Sequence, residues 1–355
     1  MLVAALQVIY ILSTRLQKAV FGDTLQDNTA REPKRMTGYR FLILPFLLFF
    51  SWGTLAADTS GADFLKIDVH PYAAAAGGAL VAGTAHPHQA LAVANQAGLA
   101  GTTNSMLALS TMPWLGGTLL FDCTWIEAPG PDLPLTIGLA ITGFSSLSVE
   151  QYDINGQYQG STSLFDCAAG FFAALLLPVD GLAAGGALRF IIRDVDQSLI
   201  YGFALDLSLL WRFQLFGFDD PAYRNFSLGL AIRNLGPNLA FSGSDTFDNR
   251  LPTTLSLGLR WQSMHTGIAI PWFSLEMTSY ANEGEKHWRS GFGLILLETL
   301  EVVFGYRYGS DVSGVSVGTS LSFPTLIGMV RIDYAFIPLA DEIEPVHAFS
   351  LALAL

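Results

Sequence analysis

The sequence predicts an all-β protein: a transmembrane antiparallel β-barrel of about fourteen strands. Three observations carry that expectation. The chain is strongly apolar, yet after residue 57 it has no run able to cross a bilayer as a helix. Its hydrophobic residues recur with a period of two. The alternating segments are longer than the strands of soluble proteins.

The 355 residues are 51% hydrophobic and only 14% charged, against about 25% charged in an average globular chain. A helical span needs roughly 20 consecutive apolar residues. Beyond residue 57 the apolar runs, such as LAITGF at 139–144 and FFAALLLPV at 171–179, are short or interrupted. The net charge of −12, with no basic stripe interleaved with aromatics, argues against a nucleic-acid partner.

The N-terminus reads as an address. From Met36 a short basic stretch leads into FLILPFLLFF at 41–50, followed by Thr54 and Ala56 at the two small positions before a cut. That is the layout of a secretory signal, so residues 36–57 are expected to be removed. Pro45 and the brevity of the run argue against a span, and a buried core helix is the bland alternative. No Cys stands near the cut, which argues against a lipoprotein. Residues 1–35 are expected to be an upstream extension of a chain starting at Met36, with a second targeting element as the alternative.

The alternation begins after residue 100. In 201–213 the odd positions read Tyr, Phe, Leu, Leu, Leu, Trp, Phe and the even ones Gly, Ala, Asp, Ser, Leu, Arg. Residues 226–233, 255–262 and 330–336 repeat the pattern. Successive side chains of a strand point to opposite faces, so each segment has one greasy face and one small or polar face. A soluble sandwich also alternates, but its exposed face carries many Lys, Glu and Thr, whereas here it is rich in Gly and Ser. Segments of about 9–14 residues can cross a bilayer when tilted, while soluble strands average about 5–6. Aromatic residues gather near segment ends (Trp114, Trp125, Tyr201, Trp211, Phe213, Trp261, Trp272, Trp288), as in interfacial girdles. Only a closed barrel satisfies every strand's backbone groups in lipid. The expected segments are 104–111, 116–127, 133–144, 161–176, 186–194, 199–213, 223–235, 252–262, 267–280, 286–298, 300–309, 313–322, 327–337 and 346–355. Barrel residues thus run from 104 to 355.

Residues 61–101 do not alternate. They carry FLKI at 64–67, AGGA at 76–79 and NQAGLA at 95–100. Further on come NLGP at 234–237, LPTT at 251–254, GYR at 305–307 and DYA at 333–335 with Pro338. In this combination the chain resembles the PorV/PorQ family of FadL-like outer-membrane proteins, especially its spirochaete branch, from about residue 61 to the C-terminus. The resemblance implies a barrel whose lumen is closed by an N-terminal hatch, here residues 58–103, with Phe64, Gly77, Gly78, His86, His88, Asn95, Gln96, Gly98 and Leu99 as its gate residues. It also implies passage of long-chain fatty acids or similar hydrophobic solutes, with exit through a lateral opening. Two departures stand out. Gln96 replaces the family's proline, which would have fixed φ, and His86 and His88 replace its acidic pair.

The expected partners are the lipid bilayer, hydrophobic small molecules and the outer-membrane assembly machinery. The alternatives are a PorV-like accessory that binds secreted proteins and a general porin, which a closed lumen fits less well. No cofactor is expected. His86 and His88 lack a clear third ligand, so no metal is expected, and no Ser/His/Asp arrangement suggests an enzyme. Cys123 and Cys167 share parity with the apolar residues on segments that are not neighbours, which disfavours a disulfide. Arg212, Arg233, Arg260, Arg307 and Arg331 all fall on the small, polar parity and should face the lumen. There they could clamp a carboxylate headgroup or pair with inward acids such as Asp206 and Asp333.

Overall fold

Every alternating segment forms a strand. The computed structural model describes residues 60–84, 89–128, 133–195, 198–214, 224–241, 250–263, 268–309, 314–339 and 344–355. The expected extension 1–35, the signal 36–57, and His86 and His88 lie outside the described residues. The first strands are β1 (Met106–Trp114), β2 (Thr118–Glu127), β3 (Leu135–Tyr152), β4 (Tyr158–Leu176), β5 (Leu182–Val195), β6 (Ser198–Phe213) and β7 (Phe226–Leu235). A two-residue β8 (Ala240–Phe241) precedes β9 (Thr254–Gln262), β10 (Ala269–Tyr280), β11 (Lys286–Leu296), β12 (Leu300–Tyr308), β13 (Gly314–Thr325), β14 (Gly328–Ile337) and β15 (Val346–Ala354).

The strands follow one another as an antiparallel meander. β15 returns to β1, from Met106↔Ala354 to Thr111↔Phe349, so the sheet closes on itself. Closure leaves no free edge, the condition for strands in lipid. Among the described residues, fourteen strands form the wall, and the short β8 pairs with β6 at Ile200 and Tyr201.

The two faces of the wall invert the usual rule. Along β6, Phe203 and Leu207 are about half exposed (53% and 48%), whereas Asp206 between them is 0% exposed. Leu107 and Leu109 on β1, Leu139 on β3, Phe292 on β11 and Leu351 on β15 likewise face outward. A continuous exposed apolar belt is stable only against hydrocarbon, so the barrel spans a membrane. Cys123 and Cys167 are free thiols on this outer parity, with β3 between their strands. Trp125, Trp261 and Trp288 are exposed outward, as girdle residues should be. Trp272 corrects the expectation: it is fully buried on the inward parity, with its indole N–H donated to Glu301 at 2.7 Å.

Residues 60–84 and 89–101 pack against the inner face of the wall. They form a 3-10 turn (Asp63–Lys66), α1 (Pro71–Ala75), α2 (Leu91–Ala94) and a second 3-10 turn (Gln96–Leu99). His70 caps α1 by accepting the Tyr72 N–H on Nδ1 at 3.2 Å, and Pro71 sits where its missing N–H costs nothing. The glycine-rich inward parity now has a cause. A Cβ on Gly305 of β12 would lie 2.1 Å from the Gly77 nitrogen, and one on Gly229 of β7 only 1.9 Å from the Val81 carbonyl oxygen. The wall needs glycine there because two backbones meet without side chains between them.

Candidate functional site

The inward side chains of β10 to β14 hold the first part of the segment through buried polar groups. Asp68 accepts from Arg307 Nη2 at 2.7 Å and lies 3.9 Å from Arg289. Burial alone would raise its carboxyl pKa, but the guanidiniums of Arg289, Arg307 and Arg233 outweigh that and hold it below the ordinary range. The Val81 N–H donates to Glu276 at 2.9 Å, Ser274 Oγ to the Ala79 carbonyl at 2.7 Å, and Ser316 Oγ to the Ala75 carbonyl at 3.1 Å. Glu301 gathers three donors: Tyr72 Oη at 3.0 Å, Trp272 Nε1 at 2.7 Å and Arg331 Nη2 at 3.1 Å. Arg331 also donates through Nε to Asp333 at 2.8 Å, and Ser350 Oγ gives Asp333 a further bond at 2.7 Å.

The second part of the segment is held on β3 to β6. Asn95, wholly buried, donates to the Leu209 carbonyl at 3.2 Å and accepts the Ala97 N–H at 3.0 Å. Gln96 donates to the Ala92 carbonyl at 2.8 Å and accepts from Ser208 Oγ at 3.2 Å. Where the resembling family would fix φ with proline, this chain ties the turn with a side-chain amide. Thr136 Oγ1 donates to the Leu99 carbonyl at 3.0 Å. Gly77 and Gly78 both adopt positive φ (63° and 81°), and Gly98 passes so near Gly83 that a Cβ would sit 2.7 Å from the Gly83 carbonyl oxygen.

One stretch of the wall is interrupted. Asn234 in β7 takes a left-handed φ of 59°, and the register with β6 shifts between Leu205 and Leu207. Among the described residues, the β7–β9 ladder stops at Arg233↔Thr254, and β8 pairs with β6 alone. Polar side chains replace the missing ladder. Asp206 accepts the Asn234 N–H at 2.8 Å, Arg189 donates to both Asp206 and Asn234 at 2.7 Å, and Asn234 Nδ2 donates to the Pro252 carbonyl at 2.9 Å. Beside this seam, Phe64 and Leu65 pack in an apolar cluster with Ala168, Ile191, Ile200 and Ala204 of β4 to β6 and with Leu239 and Leu251, which border the gap.

The five arginines read from parity do not form one group. Arg307 and Arg331 are engaged by Asp68 and by Glu301 with Asp333. Arg260 lies with its guanidinium carbon 4.0 Å from the Trp272 ring centre and reaches Gln262 at 3.4 Å. Arg233 stands on β7 at the edge of the seam, and Arg212 lies at the far end of β6, its N–H bonded to the Gly181 carbonyl at 2.8 Å. Sequence reasoning missed Arg189 and Arg289, although they share parity with Ala187 and Gly291 and the same rule finds them. It also missed Asp68, Glu276 and Glu301, whose partners come from neighbouring strands of β10 to β14 and from the N-terminal segment packed on them.

A closed fourteen-strand barrel with an apolar exterior and an N-terminal segment bonded to its inner wall defines a class of membrane β-barrel whose lumen is furnished rather than open. No family model matches the chain, and no curated protein matches it. Among solved structures, it is similar to the toluene transporter TodX of Pseudomonas putida, with 11% identity over 85% of this chain and 99% of that one and a TM-score of 0.53. The CymD monoaromatic hydrocarbon channel gives 11% identity over 84% and 99%, with a TM-score of 0.52. A FadL homologue of Pseudomonas aeruginosa aligns over 85% of this chain at a TM-score of 0.45, a likeness too loose to argue from. At these identities the similarity shows a shared fold.

Proposed function

We propose that the protein is an outer-membrane channel for the passive uptake of hydrophobic solutes, with long-chain fatty acids as the leading candidates. Residues 60–101 act as its hatch. The observation that supports the reading is the packing of Phe64 and Leu65 against Leu239 and Leu251, which border the interrupted β7–β9 seam. A solute that prefers hydrocarbon would leave the lumen there into the bilayer, without crossing water. The hydrocarbon transport named for the two similar barrels supports this reading, as does the FadL-like resemblance of the sequence. A general porin is less well supported, because side chains of the inner wall bond the N-terminal segment where a water path would run.

Uptake of labelled oleate and palmitate into vesicles containing the purified protein tests the proposal. Saturable uptake above protein-free vesicles is expected. Uptake no faster than in protein-free vesicles would overturn it, and with co-purification of secreted proteins it would favour the accessory reading.

A further inference from the structure

Six carboxylates on the wall strands are buried among the described residues: Asp122, Asp166, Asp206, Glu276, Glu301 and Asp333. Five of them pair with a guanidinium at 2.5 to 3.7 Å: Asp166 with Arg193, Asp206 with Arg189, Glu276 with Arg289, and Glu301 and Asp333 with Arg331. Asp122 breaks the pattern. Among the described residues it has no cationic side chain beside it, and its two oxygens accept only from Thr124 Oγ1 and Thr142 Oγ1, each at 3.0 Å. A buried carboxylate without a counter-charge is costly, because hydroxyl dipoles do not replace the lost water.

A second observation falls beside it. Ser110 stands directly opposite Asp122 on the β1–β2 ladder and on the same inward face. The residue is 5% exposed, and its buried hydroxyl has no hydrogen-bond partner. Ser350, on the other flank of Ser110, gives its own hydroxyl to Asp333. Side chains opposed across a ladder have Cβ atoms about 4.5–5.5 Å apart, so the Ser110 hydroxyl and the Asp122 carboxylate lie within reach of one small ion. Thr124 and Thr142 keep their oxygen lone pairs after donating to Asp122. Along the strands this oxygen group is bounded by buried apolar side chains, Ala108 and Met112 on β1 and Leu120 on β2.

The donor set selects the ion. Carboxylate and hydroxyl oxygens suit hard cations, and Mg²⁺ or Ca²⁺ usually takes more than one carboxylate or keeps several waters. One carboxylate among hydroxyls balances a single positive charge. We propose that Asp122, Ser110, Thr124 and Thr142 form a binding site for a monovalent alkali cation, of which sodium is the probe. The ion does for Asp122 what arginine does for the other five acids, and it leaves this part of the inner wall without net charge.

Thermal unfolding of the full-length protein in lipid nanodiscs at neutral pH, followed by circular dichroism, provides the test. Sodium chloride should raise the midpoint saturably above that in N-methylglucamine chloride of equal concentration, because an ion bound only by the folded state stabilises it. Magnesium chloride at the same ionic strength should not replace sodium. Asp122→Asn should abolish the difference between sodium and N-methylglucamine. Ser110→Ala, which removes a hydroxyl that bonds no side chain, should leave the midpoint in N-methylglucamine unchanged and raise the half-saturating sodium concentration roughly ten-fold, the lower end of the cost of losing a metal-site partner. A wild-type midpoint indifferent to sodium, or a sodium dependence that survives in both variants, would overturn the site. So would an infrared C=O band of a neutral carboxyl in sodium chloride that disappears in Asp122→Asn, since Asp122 would then hold a proton in place of the ion. Nothing in this site requires solute transport, so sodium dependence and oleate uptake succeed or fail separately.

Discussion

The two parts of the N-terminal segment meet the wall by different physics. Residues 68–82 reach β10 to β14 through buried charges: Asp68 with Arg307 and Arg289, Tyr72 with Glu301, and the Val81 N–H with Glu276. Residues 91–100 reach β3 to β6 through amides, hydroxyls and close backbone approach, as at Asn95, Gln96, Thr136 and Ser208. Both parts are buried, yet only the first depends on ionisation. The difference predicts that a change of charge loosens residues 68–82 while residues 91–100 stay seated.

The largest expected effect comes from steric exclusion on the charged side. Gly305→Val places a Cβ 2.1 Å from the Gly77 nitrogen and 2.4 Å from the Ala75 carbonyl oxygen, and neither is a side chain that can swing away. The cost should exceed the roughly 1–3 kcal/mol of ordinary overpacking. Limited proteolysis should then cut within residues 68–82, while the barrel keeps its strand content by circular dichroism.

Removing a charge should cost somewhat less. Asp68→Ala leaves Arg307 and Arg289 without that partner, and breaking a fully buried pair costs about 3–5 kcal/mol. The Asp68 and Arg307 side chains keep 16% and 21% exposure, so a loss on the order of 2–3 kcal/mol is expected after allowing for solvent screening. Hydrogen exchange of the Gly77 to Val81 amides should accelerate, with the amides of 96–100 unchanged.

Acidification should act in the same direction. Burial lowers the His70 pKa to about 4 from its ordinary 6.5, with attraction to Asp333 opposing and repulsion from Arg331 adding to the shift. Between those values the released segment binds more protons than the docked one. Docking strength is therefore fully present above about 6.5 and falls as pH drops towards 4. Proteolysis at pH 7 and pH 5 should show faster cutting of 68–82 at the lower value. His70→Asn should flatten that dependence.

The smallest effect belongs to the amide-held side. Ser208→Ala removes one of the two acceptors of the Ala97 N–H, at 3.1 Å, leaving Asn95 Oδ1, and also removes the donor to Gln96. About 1–2 kcal/mol is expected for such a buried loss, read as faster exchange at Ala97 and as no change in the pH dependence of the other side.

How far the sequence reached follows the same physics. Strands were legible where lipid enforces alternation, as in β6, whose expected 199–213 became Ser198–Phe213. The signal faded where both faces are polar or small. β3 continues through SSLSVEQY to Tyr152, beyond the expected 144, and β5 starts at Leu182 with LAAGG rather than at 186. β8 and the Asn234 break left no trace, because a strand interruption held by Asp206, Arg189 and Pro252 depends on three distant segments. Parity placed Arg307 and Arg331 on the inner face, but it could not pair Arg307 with Asp68, 239 positions away.

The central claim is that residues 60–101 must move for solute to pass. A Cβ on Gly291 would lie 3.3 Å from the Ala76 Cβ, a few tenths short of the roughly 3.5–4.5 Å of a disulfide. The pair Ala76→Cys and Gly291→Cys, in a Cys123→Ser and Cys167→Ser background, should therefore lock the segment to β11 when oxidised. Labelled oleate uptake into vesicles should cease in the oxidised protein and return on reduction. Uptake equally fast in the locked and reduced states would show that the segment is a fixed part of the barrel and not its hatch.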